Sequence, residues 1–145
     1  MLRWPDAEAI LRGGRYLWLA TSDADGSPHL VQQWGVWIDS ELWFEGSDRT
    51  RWARNLARRP QLAFGTQVGD RAVYGRAVVE IVRNVERTVA VRIAREYTRK
   101  YGRVFSYRPK PEQYETGHAF RAKPEKVIAF DVKHFNTSAA RFTFA

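Results

Sequence analysis

Arg51, Arg54 and Arg58 recur at i, i+3 and i+7 directly after the polar turn Gly46-Ser47-Asp48. On a helix that spacing puts the three guanidinium groups on one face. A helix start carries unpaired backbone N–H groups and the positive end of the dipole, so it attracts anions. Arginines at that end oppose the dipole unless a negative group sits among them. An anion, a phosphate for example, is the chemistry this pattern suits. The plainer alternative is a solvated basic face. Trp52 and Leu56, at i and i+4 with Ala53 beside them, occupy the other side of the same predicted helix. A second group is Gln32-Gln33 followed by Trp34 and Trp37. Neighbours on a strand point to opposite faces, and buried amides without partners are costly. One of the two glutamines therefore faces solvent or a polar partner, such as the edge of a flat heteroaromatic ligand.

Other chemistry finds little support. The three histidines, His29, His118 and His134, show no metal-ligand spacing. No nucleophile elbow occurs, and no GxGxxG or GxxxxGK[ST] loop. With no cysteine in the chain, disulfides, thiolate metal sites and cysteine nucleophiles are excluded, and a cytoplasmic setting is expected. The N-terminus does not lead into a signal-peptide core, and no apolar run approaches the roughly 20 residues that span a bilayer. A net charge of +8 favours an anionic partner: a phosphorylated cofactor, nucleic acid or acidic lipid. The arginines are dispersed along the chain, so a nucleic-acid-binding β-barrel is the distant alternative.

The elements that must position these residues read mainly as strands. A helix is expected over 5–13, ended by Gly13-Gly14. Strands are expected over 15–21, 28–38 and 41–46, the first two joined by the hairpin signal Asp25-Gly26. These three strands form an antiparallel meander. Ser47 or Asp48 is the expected cap of the basic helix, which Pro60 terminates. Strands over 61–67 and 71–82 follow, and Gly75 inside the second marks a bend or a close backbone approach. The longest helix is expected over 84–101, capped by Asn84 and stopped by Gly102, with Val85, Val89, Ile93, Tyr97 and Tyr101 on one face. Residues 104–116 read as a loop, 117–122 are undecided, and strands over 126–132 and 139–144 close the chain. A length of 145 residues with 44% hydrophobic content suits one domain over 1–145. Many antiparallel strands with few helices favour a closed or half-closed barrel.

Three stretches, in order, carry a family resemblance. Trp18-Leu19-Ala20-Thr21, Asp25-Gly26-Ser27-Pro28-His29 and Trp34-Gly35-Val36-Trp37 resemble an opening hairpin "LATxxxDGxPHxxPxWxxW". Asp48 to Leu56 with Pro60 resembles a helix "xTRKARNLxxxP". Pro124 to Phe130 and Ser138 to Phe142 are similar to a strand "PxxVxAW" and an end "TATRWxF". Together they resemble the flavin-binding split-barrel proteins related to pyridoxamine 5′-phosphate oxidase, in the bacterial branch that binds FMN or the deazaflavin coenzyme. The resemblance implies an α+β protein, mainly β with α: an antiparallel six- or seven-stranded split β-barrel with flanking helices. It implies a homodimer with the cofactor between subunits and an FMN-dependent oxidoreductase acting on a small substrate. A deazaflavin-dependent reductase, or a non-catalytic flavin- or haem-binding protein of the same fold, is the alternative. Carried onto this chain, Gln33 and Trp34 flank the ring, and Ser47, Thr50 and Arg51 meet the phosphate or ribityl chain. Arg54 is an anion ligand or, with Asn55, braces the helix; Arg141 approaches from the second subunit. The family's lysine after the first helix arginine is Trp52 here, which stacks on a ring or packs with Leu56. The proline expected before the strand-two tryptophans gives way to Gln32-Gln33.

Overall fold

The opening hairpin forms where its turn residues place it. In a computed structural model describing all 145 residues, β1 (Leu17–Ser22) and β2 (Pro28–Gln33) pair in register from Leu17↔Gln33 to Ser22↔Pro28. Gly26 sits at φ 90° in the turn, and the Ser27 N–H donates to the Asp25 carboxylate at 2.9 Å. The strand expected over 28–38 is broken, however. It stops at Gln33 and restarts as β3 (Gly35–Ile38), which pairs with β4 (Glu41–Phe44) and not with β2. The expected three-stranded meander is therefore two separate hairpins. β1 turns instead to β5 (Gln61–Val68), and β4 to β7 (His118–Asp131).

The whole sheet runs β2-β1-β5-β6-β7-β4-β3, with β6 spanning Arg71–Arg83, and β8 (Ala140–Thr143) pairs with β7. Every pairing is antiparallel. The sheet curls into a half-barrel whose two ends, β2 and β3, are consecutive in sequence but unpaired, so the barrel is split at Trp34. Long strands β6 and β7 form its spine. β7 runs straight through Pro124, because the register shift opposite Arg76/Ala77 absorbs one extra residue there. A Pro in a paired strand needs such an irregularity, since it has no N–H to give to the ladder. At Gly75 the backbones come so close that a Cβ would lie 2.1 Å from the Lys126 carbonyl oxygen.

Two apolar cores flank the sheet. Inside the curl, α1 (Trp4–Gly13) and α2 (Arg51–Arg58) pack Ile10, Leu11, Trp52 and Leu56 against Leu17, Leu19, Trp37, Phe44, Leu62 and Phe120. On the outer side of β3 and β4, α3 (Arg87–Tyr97) covers Val36, Ile38 and Trp43 with Ala90, Ile93, Ala94 and Tyr97. β3 is thus buried on both faces, which explains its unbroken apolar run. Each large side chain so enclosed contributes about 1.5–3 kcal/mol. α3 is shorter than expected. Asn84 takes the left-handed conformation (φ 51°), and Glu86 caps the helix instead, accepting from the Thr88 and Val89 N–H groups. Beyond Tyr97 the chain widens into a π-helical turn, Thr98–Gly102, and continues helically to Phe105, so Gly102 does not stop it. No helix is long and apolar enough to cross a membrane.

Candidate functional site

The turn between β4 and α2 is shaped by what lies beneath it. Trp52 is 4% exposed and packs against Phe44 and Phe120, with ring centroids 5.6 and 4.8 Å away. A Cβ on Gly46 would lie 2.5 Å from the Trp52 ring, so only glycine lets the chain cross it. The Gly46 carbonyl meets His118 Nε2 at 2.9 Å, which fixes the turn from β7. Trp52 accordingly packs beside Leu56 in the core, one of the two roles its sequence position suggested.

The cap of α2 is Thr50, not Ser47 or Asp48. The Thr50 hydroxyl accepts from the Ala53 N–H at 3.3 Å and donates to the Ser47 carbonyl at 2.9 Å. Ser47 Oγ accepts from the Arg49 N–H, and Asp48 pairs with Arg83 at 3.4 Å. The cap thus lies two residues beyond Asp48, and helical geometry begins only at Arg51. The backbone N–H groups of Arg51 and Trp52 have no protein partner. They are the free donors a helix start offers an anion.

A cleft of about 510 Å³ lies between this helix and the β1–β2 turn, lined by Asp23, Asp25, Arg51, Arg54, Asn55 and Arg58. Arg51 reaches across it. Its Nε and Nη2 donate to the two carboxylate oxygens of Asp23 at 3.0 and 2.6 Å. Asn55 is buried; its Nδ2 donates to Thr21 Oγ1 at 3.0 Å and to Asp23 at 2.9 Å, while its Oδ1 accepts from Arg58 at 2.9 Å. Bonds from Asn55 and then Arg51 hold the Asp23 carboxyl below its ordinary range. The Arg54 side chain is exposed and makes no hydrogen bond or ion pair, so of the two bracing residues named from sequence, only Asn55 braces with its side chain. Asp23 was not found by sequence reasoning. Only its nearness to the Asp25-Gly26 turn drew attention to that loop, and its partners lie 28 and 32 residues away.

Gln33 and Trp34 sit at the break in the barrel. Gln33 is half-buried at the end of β2, opposite Leu17. Trp34 precedes Gly35, which pairs with Phe44, so the indole lies at the same end of the β3–β4 hairpin as Glu45-Gly46-Ser47. Its ring stacks on Tyr101 and Phe105, with centroids 4.9 and 4.6 Å away and planes within 14°. Tyr101 and Phe105 are only 6.3 Å apart, so they tile one side of the indole. The π-helical turn delivers the staples of the break. The Tyr101 hydroxyl accepts from the Gly35 N–H at 3.0 Å and donates to the Arg15 carbonyl at 2.8 Å. Lys100 Nζ donates to the Gly35 carbonyl at 2.8 Å. Burial pushes the Lys100 ammonium down to about 7 and the Tyr101 phenol up to about 12.

Below Trp34, Glu45 accepts from the hydroxyls of Tyr107 and Tyr114 (2.6 Å for Tyr114) and from Gln113 Nε2 at 3.2 Å. Burial and then this carboxylate raise both phenols, Tyr107 to about 12. This cluster pins residues 107–114 to the barrel, and the expected loop over 104–116 holds a short helix at Glu112–Glu115 that no periodic pattern in the sequence marks. Arg141 is exposed on β8 opposite Ile128, and it makes no bond to the α2 turn within this chain. The structure therefore brings Arg51 and Arg54 together in the cleft, links Ser47 and Thr50 to each other at the helix start, sets Gln33 and Trp34 at the barrel break, and leaves Arg141 apart.

The α2 turn presents two unpartnered N–H groups, the free Arg54 side chain and the outward N–H groups of Arg51. These suit a phosphate, and no buried side-chain polar atom is left unsatisfied without it.

Comparison with known proteins agrees with this architecture. A family model described as pyridoxamine 5′-phosphate oxidase matches residues 4–131. Among solved structures, the conserved hypothetical protein Rv2991 from Mycobacterium tuberculosis is 26% identical, with a TM-score of 0.74 over 92% of this chain and 87% of that one. An F420 reductase is 22% identical, with a TM-score of 0.63 over 83% and 94% of the two chains. HutZ, the heme storage protein from Vibrio cholerae, is 20% identical, with a TM-score of 0.64 over 99% and 95%. No curated protein matches the sequence.

Proposed function

The chain belongs to the pyridoxamine 5′-phosphate oxidase family, and from that premise we propose that it is a homodimeric, FMN-dependent oxidoreductase acting on a small organic substrate. One observation carries the reading. The start of α2 gathers unpartnered N–H groups and the unpaired Arg54 side chain along one cleft. Arg51, Arg54, Thr50 and Ser47 would hold the phosphate end of the cofactor, where charge-assisted bonds are strongest. Gln33 and Trp34 would border the ring, Gln33 supplying amide hydrogen bonds to a heteroaromatic edge. When bound, the flavin supplies the hydride chemistry, and the protein supplies orientation and a dry pocket. No side chain of this chain is assigned as acid or base.

The homodimer is supported by an uncovered sheet face. Trp18, Leu30, Tyr74 and Val78 are 49%, 61%, 48% and 37% exposed on the outer sides of β1, β2 and β6. Neighbouring large apolar side chains left open in this way mark an interaction surface, and a second copy would cover them. Arg141 is proposed to reach the cleft of that second copy.

A second reading, a flavin or haem carrier without turnover, is favoured by Trp52. Its indole is buried where the resembling helix has a lysine, so one phosphate-binding ammonium is missing. A deazaflavin coenzyme in place of FMN remains within the same site logic. The absorbance spectrum of the purified protein tests these readings. Flavin-type absorbance, with FMN identified by mass after denaturation, supports the first. A colourless protein that gains no visible absorbance with FMN, deazaflavin coenzyme or haem refutes all three.

A further inference from the structure

We infer that Asp23 determines the specificity of the α2 cleft: it is an internal carboxylate that occupies Arg51 and weakens the cleft's hold on a phosphate. The inference rests on the phosphate reading of that cleft given above. Arg51 turns its Nε–Nη2 edge to Asp23, and two parallel bonds of 3.0 and 2.6 Å fill it. That edge is the one with which arginine grips a phosphate bidentately. The Asp23 side chain is 14% exposed, and that of Arg51 60%. The carboxylate is thus tucked into the cleft wall while the guanidinium stands at the rim.

Asp23 does not swing aside freely. Asn55 holds it at 2.9 Å, and Asn55 is itself fixed by Thr21 and Arg58. The same donors favour the ionised form. An incoming phosphate then has two routes. It can displace Asp23 from Arg51, leaving the carboxylate with Asn55 alone. Otherwise it can accept from the outward N–H groups of Arg51 with a carboxylate directly behind them. Either route lowers affinity, the first through broken bonds and the second through repulsion between like charges. The repulsion grows with the charge on the ligand, so a phosphomonoester dianion is penalised more than a monoanion. Arg54, which has no internal partner, becomes the main side-chain ligand.

Asp23→Asn tests the assignment, since it keeps the shape and removes the charge. FMN and riboflavin, which differ only in the phosphate, are titrated into both proteins by quenching of flavin fluorescence. The expected result is about tenfold tighter FMN binding, ~1.4 kcal/mol, with riboflavin unchanged. The gain disappears when Arg51→Ala is added. Unchanged or weaker FMN binding by Asp23→Asn, while the unaltered protein binds FMN, overturns the role of Asp23 and leaves the proposed function standing. Equal tightening of riboflavin also overturns it, because the effect is then not on phosphate. Failure of both proteins to bind FMN overturns the phosphate reading and this assignment together. Asp23→Ser gives the same readout should the amide destabilise the hairpin.

Discussion

Replacing Tyr101 by Phe isolates the hydroxyl that staples the barrel break. The ring remains, so the stacking on Trp34 and Phe105 is kept. What disappears is the acceptor of the buried Gly35 N–H at 3.0 Å and the donor to the Arg15 carbonyl at 2.8 Å. Leaving a buried N–H unpaired costs about 1–3 kcal/mol, and losing an ordinary hydrogen bond about 0.5–1.5 kcal/mol. The Arg15 carbonyl is only partly buried, so water recovers some of the second term. The expected loss is therefore about 2–3 kcal/mol out of a total stability of order 5–15 kcal/mol. With a urea slope of about 2 kcal/mol/M, the unfolding midpoint falls by roughly 1–1.5 M. Urea denaturation followed by far-UV circular dichroism measures it. A shift below about 0.3 M with the slope unchanged refutes the claim that the hydroxyl holds Gly35.

Lys100 gives a pH dependence with a definite sign. Its ammonium is lowered from 10.5 to about 7, so between these values the unfolded chain holds a proton that the folded chain has lost. Stability from this group therefore rises with pH from about 7 towards 10.5, and is lowest below 7. Lys100→Met should flatten the rise measured by thermal unfolding between neutral pH and pH ~9.5; an identical slope contradicts the burial of Lys100. The buried Tyr101 and the half-buried Tyr107 act oppositely at higher pH. Tyr101 and Tyr107 are raised to about 12, so their contribution is lost as pH climbs from 10 to 12. At Gly75, a Cβ would meet the Lys126 carbonyl oxygen at 2.1 Å, within a paired backbone that cannot rotate away. Gly75→Ala is expected to destabilise by at least about 1–3 kcal/mol in the same urea assay; a cost near zero would mean that β6 and β7 are not in this register.

Local chemistry made much of this fold legible. The Asp25-Gly26 turn, the amphipathic stripe of α2 and the alternation of β6 each lie within a short window of sequence. Gly75 was readable because a glycine inside an alternating strand has few other reasons to be there. The break at Trp34 was not, because no proline or Asx-Gly turn signal interrupts the sequence between Pro28 and Ile38. Whether residues 28–38 are one strand or two depends on β5 and β7, which take the pairing partners away. Pro124 likewise hid the first half of β7, since the bulge that tolerates it involves β6. In the site, the arginine face announced itself, but the partner of Arg51 did not. A carboxylate 28 residues upstream becomes its neighbour only after the hairpin folds over α2. Trp34 was picked out as a ring contact, whereas Tyr101 was seen only as core, and the π-helical turn that aims it at Gly35 leaves no mark in the four-residue spacing from Val85 to Tyr101.

The central claim is that the start of α2 binds the phosphate end of a flavin-type cofactor. Titration of Arg54→Ala with FMN and with riboflavin addresses it most directly, because the Arg54 side chain is exposed and makes no internal bond. Losing a hydrogen bond to a charged group, about 1.5–3 kcal/mol, should weaken FMN binding by roughly 10- to 100-fold. Riboflavin affinity and the unfolding midpoint should be unchanged. Equal weakening of both ligands, or FMN affinity indifferent to the loss of Arg54, would contradict the account.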